Sequence, residues 1–202
     1  METSAVERLA SVFTAIGTVA VAVAAIWGDW MKSKFLGPKL ELALVDHWDV
    51  NTTNYNKRQI YCHLEVRNLR QRSPAKSVRV VVEGLAKVRP DGTFFPEYLV
   101  VPLQLTWAFP TVHEQLPTIG PRDRCDFGLL QEDSGQFRLS TYIWPNNFRG
   151  FLIANEAMQV RVVALAQDAA SKPLLLEISW DGTWSPDREE MQRHLVVKEV
   201  SG

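Results

Sequence analysis

The stretch QIYCHLEVRN, residues 59–68, decides the fold class of most of this chain. Its apolar side chains occupy every second position, at Ile60, Cys62, Leu64 and Val66. Successive side chains of a β-strand point to opposite faces, so this period of two predicts a strand with one buried face. The stretch therefore predicts a sheet that covers a core on one side.

Similar patterns recur through the chain from Leu40 onward. Further strands are predicted at KLELALVDHW (39–48), KSVRVVVEGLAKV (76–88), VVPLQLTWAF (100–109), RCDFGLL (124–130), FRLSTYIW (137–144), MQVRVVALAQD (158–168), PLLLEISW (173–180) and LVVKEV (195–200). Asp-Gly turns separate some of them, and Pro102 confines its strand to an edge or a bulge. SPDREEMQRH (185–194) predicts one short helix with a capping box at Asp187 and Glu190. Seven to nine strands without βαβ alternation predict an antiparallel β-sandwich over residues 40–202.

The N-terminal segment has a different composition. Residues 9–28, LASVFTAIGTVAVAVAAIWG, contain no Asp, Glu, Lys or Arg. As a helix they would extend about 30 Å, the thickness of the hydrocarbon core of a bilayer. Membrane-interface residues are predicted at the end of this run and just after it, at Trp27, Trp30, Lys32 and Lys34. We therefore predict a short head over 1–8, a transmembrane helix over 9–31 and a juxtamembrane linker over 32–39.

Two other interpretations of this segment stay open, a cleaved signal peptide and a buried soluble helix. VAVAA (21–25) offers the small residues that a signal peptidase accepts. However, the run exceeds the usual apolar region of about 7 to 15 residues. A lone strand is excluded, because its backbone groups would stay unpaired in lipid. A small-residue stripe that would let two such helices associate, or that arises by chance in an Ala-rich segment, comprises Gly17, Ala20, Ala24 and Gly28.

Flanking charges predict the orientation of the helix. Lys32, Lys34 and Lys39 follow the apolar run, whereas only Arg8 precedes it. Because positively charged flanks tend to stay in the cytoplasm, we expect the β-domain on the cytoplasmic side of the inner (plasma) membrane. The two cysteines, Cys62 and Cys125, should then be free thiols, whereas an exported domain would allow a disulfide between them.

Residues 63–84, HLEVRNLRQRSPAKSVRVVVEG, resemble a hairpin of bacterial immunoglobulin-like domains of the CARDB and fibronectin type III kind. The matching positions are Val66 and Asn68, Pro74 and Ala75, and Val78 and Val80. Those families often place Gly after the Asn, where this chain has Leu69. The resemblance implies an immunoglobulin-like sandwich with an adhesive or scaffolding role and no catalytic residues.

The sequence contains no motif of a catalytic or metal-binding site. Its four histidines are well separated, and it has no HExxH, no GxSxG and no glycine-rich phosphate loop. A net charge of -1 argues against a dedicated nucleic-acid binder. We therefore expect no enzymatic activity, no cofactor, no metal and no nucleic-acid partner.

Two segments are candidate binding surfaces. The loop RNLRQRSPAKSVR (67–79) concentrates positive charge, and either contacts anionic lipid or another anionic ligand or is a solvated hairpin loop. Its candidate contact residues are Arg67, Arg70, Arg72 and Lys76. The segment TYIWPNNFRGF (141–151) concentrates aromatic residues, which either contact a sugar or a protein partner or fill the core. Its candidate contact residues are Tyr142, Trp144, Phe148 and Phe151.

The combination of an anchor and a sandwich predicts a single-pass recognition module, such as a sensor, a scaffold or a subunit of an envelope-associated complex. Its expected partners are membrane lipid and either a protein partner or a second copy bound through the transmembrane helix. The alternative is an exported carbohydrate- or surface-binding sandwich that uses the aromatic segment.

Overall fold

The computed structural model describes residues 3–45, 49–52, 57–70, 73–99, 101–108, 116–119 and 122–200. The chain divides into two compact units, Met1–Gly37 and Pro38–Gly202. Within the described residues, the elements in chain order are α1 (Thr3–Leu36), β1 (Leu40–Leu44), β2 (Asp49–Thr52), β3 (Arg58–Asn68), β4 (Ala75–Val88), β5 (Phe94–Glu97), β6 (Leu103–Gln104), β7 (Thr106–Trp107), β8 (Leu116–Ile119), β9 (Arg122–Gln131), β10 (Phe137–Leu139), β11 (Phe151–Leu152), β12 (Glu156–Leu165), β13 (Leu174–Trp180), α2 (Arg188–His194) and β14 (Leu195–Glu199).

The first unit is the helix α1, which contains an apolar span, Leu9–Gly28, long enough to cross a membrane. None of that span is buried within the chain. The hydroxyls of Thr14 and Thr18 donate to the carbonyl oxygens four residues earlier, at 2.8 and 2.9 Å. These bonds satisfy the polar groups inside the helix, which lowers the cost of placing them in lipid. The helix continues past residue 31 to Leu36, so much of the predicted linker is helical.

The second unit contains two antiparallel sheets. The first sheet has the strand order β1-β3-β9-β10-β11, with β2 beside β3 and β7 beside β9. The second sheet has the order β14-β13-β12-β4-β5, with β6 and β8 also on β4. The prediction of a mainly β fold with an apolar N-terminal helix is confirmed.

One hydrophobic core lies between the sheets. The alternating residues of β3 that were predicted to be buried are all in it, and Leu64 and Val66 are completely inaccessible. The second sheet contributes the inward residues of β12, which include Met158, Val160 and Val162. Burial of these apolar side chains stabilises the pairing of the two sheets.

The segment VVPLQLTWAF is not one strand, because it crosses from one sheet to the other. β6 pairs with Val81 and Val82 of the second sheet, whereas β7 pairs with β9 of the first. The intervening Leu105 is fully buried between them. Crossings of this kind make the strands shorter and more numerous than the sequence predicted.

The predicted strand FRLSTYIW is wrong beyond Leu139, where β10 ends. The chain then forms a loop that includes Pro145 and Asn147, and Asn147 adopts a left-handed conformation with φ 63°. Asparagine tolerates this conformation better than most residues do. Most of the aromatic segment therefore lies in a loop and not in a regular strand.

The predicted helix α2 forms with its cap. The side chain of Asp187 accepts a hydrogen bond from the backbone N–H of Glu190 at 2.8 Å. The Glu190 carboxylate does not reach back to the Asp187 N–H directly. It accepts from the Ser185 hydroxyl at 2.6 Å, and that hydroxyl oxygen accepts from the Asp187 N–H at 3.1 Å. Ser185 therefore completes the capping box.

Candidate functional site

One candidate site lies where the chain enters the sandwich, which we call the entry end and define as residues 38–42, 68–70, 73–76 and 166–174. The backbone of Lys39 holds the loop that follows β3. Its carbonyl oxygen accepts from the N–H of Leu69 at 2.8 Å, and its N–H donates to the side chain of Asn68 at 3.3 Å. The predicted basic loop therefore lies against the residue at which the folded unit begins. The expected hairpin over residues 63–84 is wrong, because β3 and β4 belong to different sheets and the loop connects them.

Asn68 organises the basic loop from inside. Its side chain is buried, accepts from the N–H of Arg70 at 3.1 Å and donates to the carbonyl oxygen of Ser73 at 2.8 Å. One amide side chain thus joins both sides of the loop to the start of β1. This explains structurally why an Asn ends β3 at this position.

The four predicted basic residues are not equivalent. Arg67 is engaged in ion pairs with Glu65 and, at 3.9 Å, with Glu41. The hydrogen bond to the Glu65 carboxylate raises the pKa of Arg67 above its usual value. Arg70 is half-buried and Lys76 is exposed, while Arg72 lies outside the described residues. Arg67 therefore has partners within the sheet, whereas Lys76 faces solvent.

A groove at the entry end adds a residue that the sequence reasoning missed, Lys172. The groove has a volume of about 330 Å³. It is lined by Lys39, Leu40, Glu41, Leu42, Leu69, Lys172, Pro173 and Leu174. A hydrogen bond of 3.0 Å from the N–H of Gln167 to the carbonyl oxygen of Lys76 joins the loop before Lys172 to the other side of the entry end. No local sequence pattern links these segments.

A second candidate site, the aromatic cleft, lies between the segment after β5 and the loop after β10. It has a volume of about 500 Å³. It is lined by Glu97, Tyr98, Leu99, Val101, Leu103, Pro145, Asn146, Asn147 and Phe148. Phe148 is only 7% exposed and belongs to the core, whereas Tyr98 is 86% exposed. The cleft therefore joins a fixed apolar wall to an open aromatic rim.

Of the four predicted aromatic residues, only Phe148 lines the cleft. Tyr142 packs against the core, and the ring of Trp144 packs against that of Phe148 with centroids 4.8 Å apart and an angle of 66° between the ring planes. The ring of Phe151 lies 4.6 Å from the Lys87 ammonium. The sequence reasoning missed Tyr98 and Val101, although PEYLVVP (96–102) was a visible apolar run next to prolines.

A polar cluster also lies on the outward face of the first sheet. At a β-bulge, Asp126 of β9 faces His63 of β3, with Nδ1 and Oδ1 2.6 Å apart. The ring of Tyr61 stacks parallel to that of His63, with ring centroids 6.4 Å apart. Burial is the main cause that raises the pKa of Tyr61, and the charge of Asp126 adds to it. Within the described part of the chain, no group of three or more His, Cys, Asp or Glu residues could hold a metal ion. This arrangement is a buried polar pair without an adjoining metal-ligand set.

The two cysteines are free and buried in this structure. Burial is the main cause that raises the pKa of both thiols, and the nearby charge of Asp126 adds to it. Cys125 also donates a hydrogen bond from Sγ to the carbonyl oxygen of Thr106 at 3.2 Å. Because the thiolate is the reactive form, both residues suit packing rather than nucleophilic chemistry.

The residues predicted to contact the membrane interface all lie within α1. Trp27 is exposed, whereas the side chains of Trp30, Lys32 and Lys34 fall outside the described part of the structure. A Cβ atom added at Gly17 or Gly28 would meet no neighbour within 4 Å. Ala20 and Ala24 are exposed on the same helix. Helix association through this stripe stays a prediction.

The chain matches no family model and no curated protein sequence. The resemblance to immunoglobulin-like domains therefore stays a resemblance, and the case for function rests on the residues of the chain itself.

Proposed function

We propose that the protein is a single-pass membrane protein whose β-sandwich acts as a non-catalytic recognition module, as a sensor, scaffold or subunit of an envelope-associated complex. The observation that carries this proposal is the span Leu9–Gly28, which is apolar, helical and unburied. Transfer of a helix with this composition into lipid is favourable, because few polar side chains lose their hydration and many apolar side chains leave water. The folded unit begins at Pro38, immediately after this helix unit.

Anchorage confines the sandwich to the vicinity of the membrane. A tether this short holds the domain near the bilayer, so that it meets membrane-bound partners at a raised effective concentration. The aromatic cleft supports recognition, because an apolar wall with a few polar groups at its rim is the usual composition of a binding site. We propose that this cleft receives a protein partner.

The anchor is tested by fractionation of cells that express the full chain. The wild type should stay in the membrane pellet after carbonate extraction. In the variant V19R/V21R, two arginines lie near the centre of the span, each costing about 2.5 to 3.5 kcal/mol to insert. This variant should leave the pellet, whereas the control V19L/V21L should remain in it. Carbonate-soluble wild-type protein would contradict the proposal.

We further propose that the β-domain faces the cytoplasm of a cell whose inner (plasma) membrane holds α1. The support is the excess of lysines after the span over the single Arg8 before it. External protease should leave the domain intact in cells whose outer envelope has been opened, and should digest it after lysis. Digestion before lysis would reverse the orientation.

The alternative function is an exported carbohydrate- or surface-binding domain. The exposed Tyr98 ring beside Asn146 and Asn147 favours it, because amide groups can hydrogen-bond sugar hydroxyls while the ring packs against the sugar. Titration of the detergent-purified full chain with oligosaccharides tests it by calorimetry. Binding that disappears in Y98A would support this alternative, and no heat from any sugar would count against it.

A further inference from the structure

We propose that the entry end docks on an anionic lipid surface through the groove lined by Lys39 and Lys172, with Leu69 entering the interface. This inference rests on the proposed membrane anchorage and deepens it. It names the lipid chemistry that the domain recognises, and it adds Lys39, Lys172 and Leu69 to the basic loop that the sequence indicated.

The described lysines differ in whether a carboxylate pairs with them. Away from the entry end, each lysine with a described side chain has a carboxylate partner, in the pairs Lys57–Asp133, Lys87–Glu156 and Lys198–Glu177. At the entry end, Lys39, Lys76 and Lys172 are exposed, and no described carboxylate pairs with any of them. The unpaired ammonium groups therefore gather at one end of the sandwich.

Fewer acidic residues than lysines are unpaired in this region. Glu41 lines the groove, but Arg67 lies 3.9 Å from its carboxylate. Glu199 accepts a hydrogen bond from the N–H of Leu44 at 3.0 Å, and Asp168 is exposed on the loop before Lys172. Neither has a described cationic partner, so each opposes docking by one charge. Three unpaired lysines outnumber these two residues, so the local charge favours an anionic surface.

The groove also has an exposed apolar side chain. Leu69 is 49% exposed and lines the groove beside the exposed Pro173. Its backbone N–H is fixed to Lys39, so the apolar side chain is held between cationic residues. Basic residues around an exposed apolar side chain are the composition that binds the headgroup region of an anionic bilayer.

The short tether between the span and the folded unit keeps lipid close to the entry end. Helical residues 29–36 follow the span and add about 12 Å at 1.5 Å per residue. Residues 37–39, fully extended, add about 10 Å more. Chain connectivity therefore keeps Lys39 within about 22 Å of the end of the span, and lipid headgroups are always within reach of the entry end.

The experiment uses the full chain in lipid nanodiscs with a fluorescent label at L69C and, in a separate variant, at I143C. Ile143 is exposed but lies in the loop after β10, so its label is the matched control. Cys62 and Cys125 are completely inaccessible, so the label should react with the introduced thiol. In discs of phosphatidylcholine and phosphatidylglycerol, a quencher attached to lipid should quench the label at residue 69 and spare the label at residue 143.

Charge removal tests the two lysines directly. K39Q/K172Q should lower the ratio of docked to undocked protein roughly thirtyfold, because each cation near an anionic surface contributes about fivefold. The matched control, K57Q/K198Q, also removes two lysines and should leave the ratio unchanged. High salt should reduce quenching at residue 69 in the wild type, because it screens the attraction.

The proposal would be overturned by no quenching at residue 69 in anionic discs at low salt, by equal quenching in discs of phosphatidylcholine alone, or by unchanged quenching in K39Q/K172Q. Displacement by inorganic phosphate at constant ionic strength would also overturn it, because the groove would then be a site for a free anion. A chain that enters discs but fails these tests keeps its anchor, whereas a chain that never enters discs refutes the proposed function.

Discussion

The entry end and the aromatic cleft differ in how their shape is fixed. The entry end is held by backbone and side-chain hydrogen bonds around Lys39 and Asn68, and the ammonium groups of its exposed lysines lie outside that network. The cleft is built on Phe148, which is part of the core. A bilayer surface is laterally uniform, so binding to it depends more on the charge of the site than on its shape. A cleft with a wall of core residues suits a partner of defined shape. The two sites are therefore suited to different classes of ligand.

The largest effect should come from the wall of the cleft. F148A removes a buried ring, and such truncations cost about 3 to 5 kcal/mol because a cavity remains. The free energy of unfolding of the full chain in detergent, measured with denaturant, should fall by this amount. Y98A is the control at the rim and should change stability by less than about 0.5 kcal/mol. Equal losses in the two variants would show that the cleft has no core wall.

The next largest effect should come from the hydrogen-bond network of the entry end. N68A leaves the N–H groups of Lys39 and Arg70 and the carbonyl oxygen of Ser73 without their amide partner. Loss of such partners costs about 1 to 3 kcal/mol for each group that stays buried. We expect the free energy of unfolding to fall by about 2 kcal/mol in total, because water replaces the lost amide partner in part of the loop.

The control for N68A is K76A, an exposed residue at the start of β4, the strand that follows the same loop. It should leave stability within about 0.5 kcal/mol of the wild type. Comparison of these two variants separates the effect of the hydrogen-bond network on stability from the effect of the positive charge. If N68A unfolded at the same denaturant concentration as the wild type, the loop would not depend on Asn68.

The smallest effect should be a loss of stability in acid, and it should come from carboxylates away from the entry end. A hydrogen bond with His194, at 2.7 Å, is the main cause that lowers the pKa of Asp181. Hydrogen bonds from Lys57 and Arg58 likewise lower the pKa values of Asp133 and Glu132. A lowered folded-state pKa gives stability that is present above the unfolded value of about 4 and is lost as the pH falls through the folded value.

Denaturant midpoints measured between neutral pH and pH 3 test this sign. The midpoint should fall only below about pH 4, where these carboxylates take up protons. D181N should remove its share of the change, whereas K172Q should not alter the pH profile. A midpoint that rises on acidification would contradict the assignment.

The parts of the fold that follow local rules could be predicted from the sequence. Alternation in residues 59–68 predicts the buried face of β3, because side chains of a strand alternate between two faces. The charge-free run in residues 9–28 predicts the helix in the same direct way. The crossing at Leu105 could not be predicted, because both of its neighbouring strands have the same pattern whichever sheet they join.

The candidate sites depend on contacts between distant segments, and they were predicted only in part. Positive charge near Arg70 was visible, but Lys172 belongs to the loop between β12 and β13 and meets Lys39 and Leu69 only in the folded unit. Aromatic residues near Phe148 were visible too, but the rim residue Tyr98 comes from another loop. Residue type identifies candidates, whereas topology decides which of them meet.

We propose that residues 9–28 are an uncleaved anchor, and the intact mass of protein extracted from membranes tests this proposal. We predict a single species near 22.9 kDa, the mass of the whole chain. The same protein should require detergent for extraction. A species shortened by cleavage close to Ile26, recovered without detergent, would show that the segment is a signal peptide and would contradict the account.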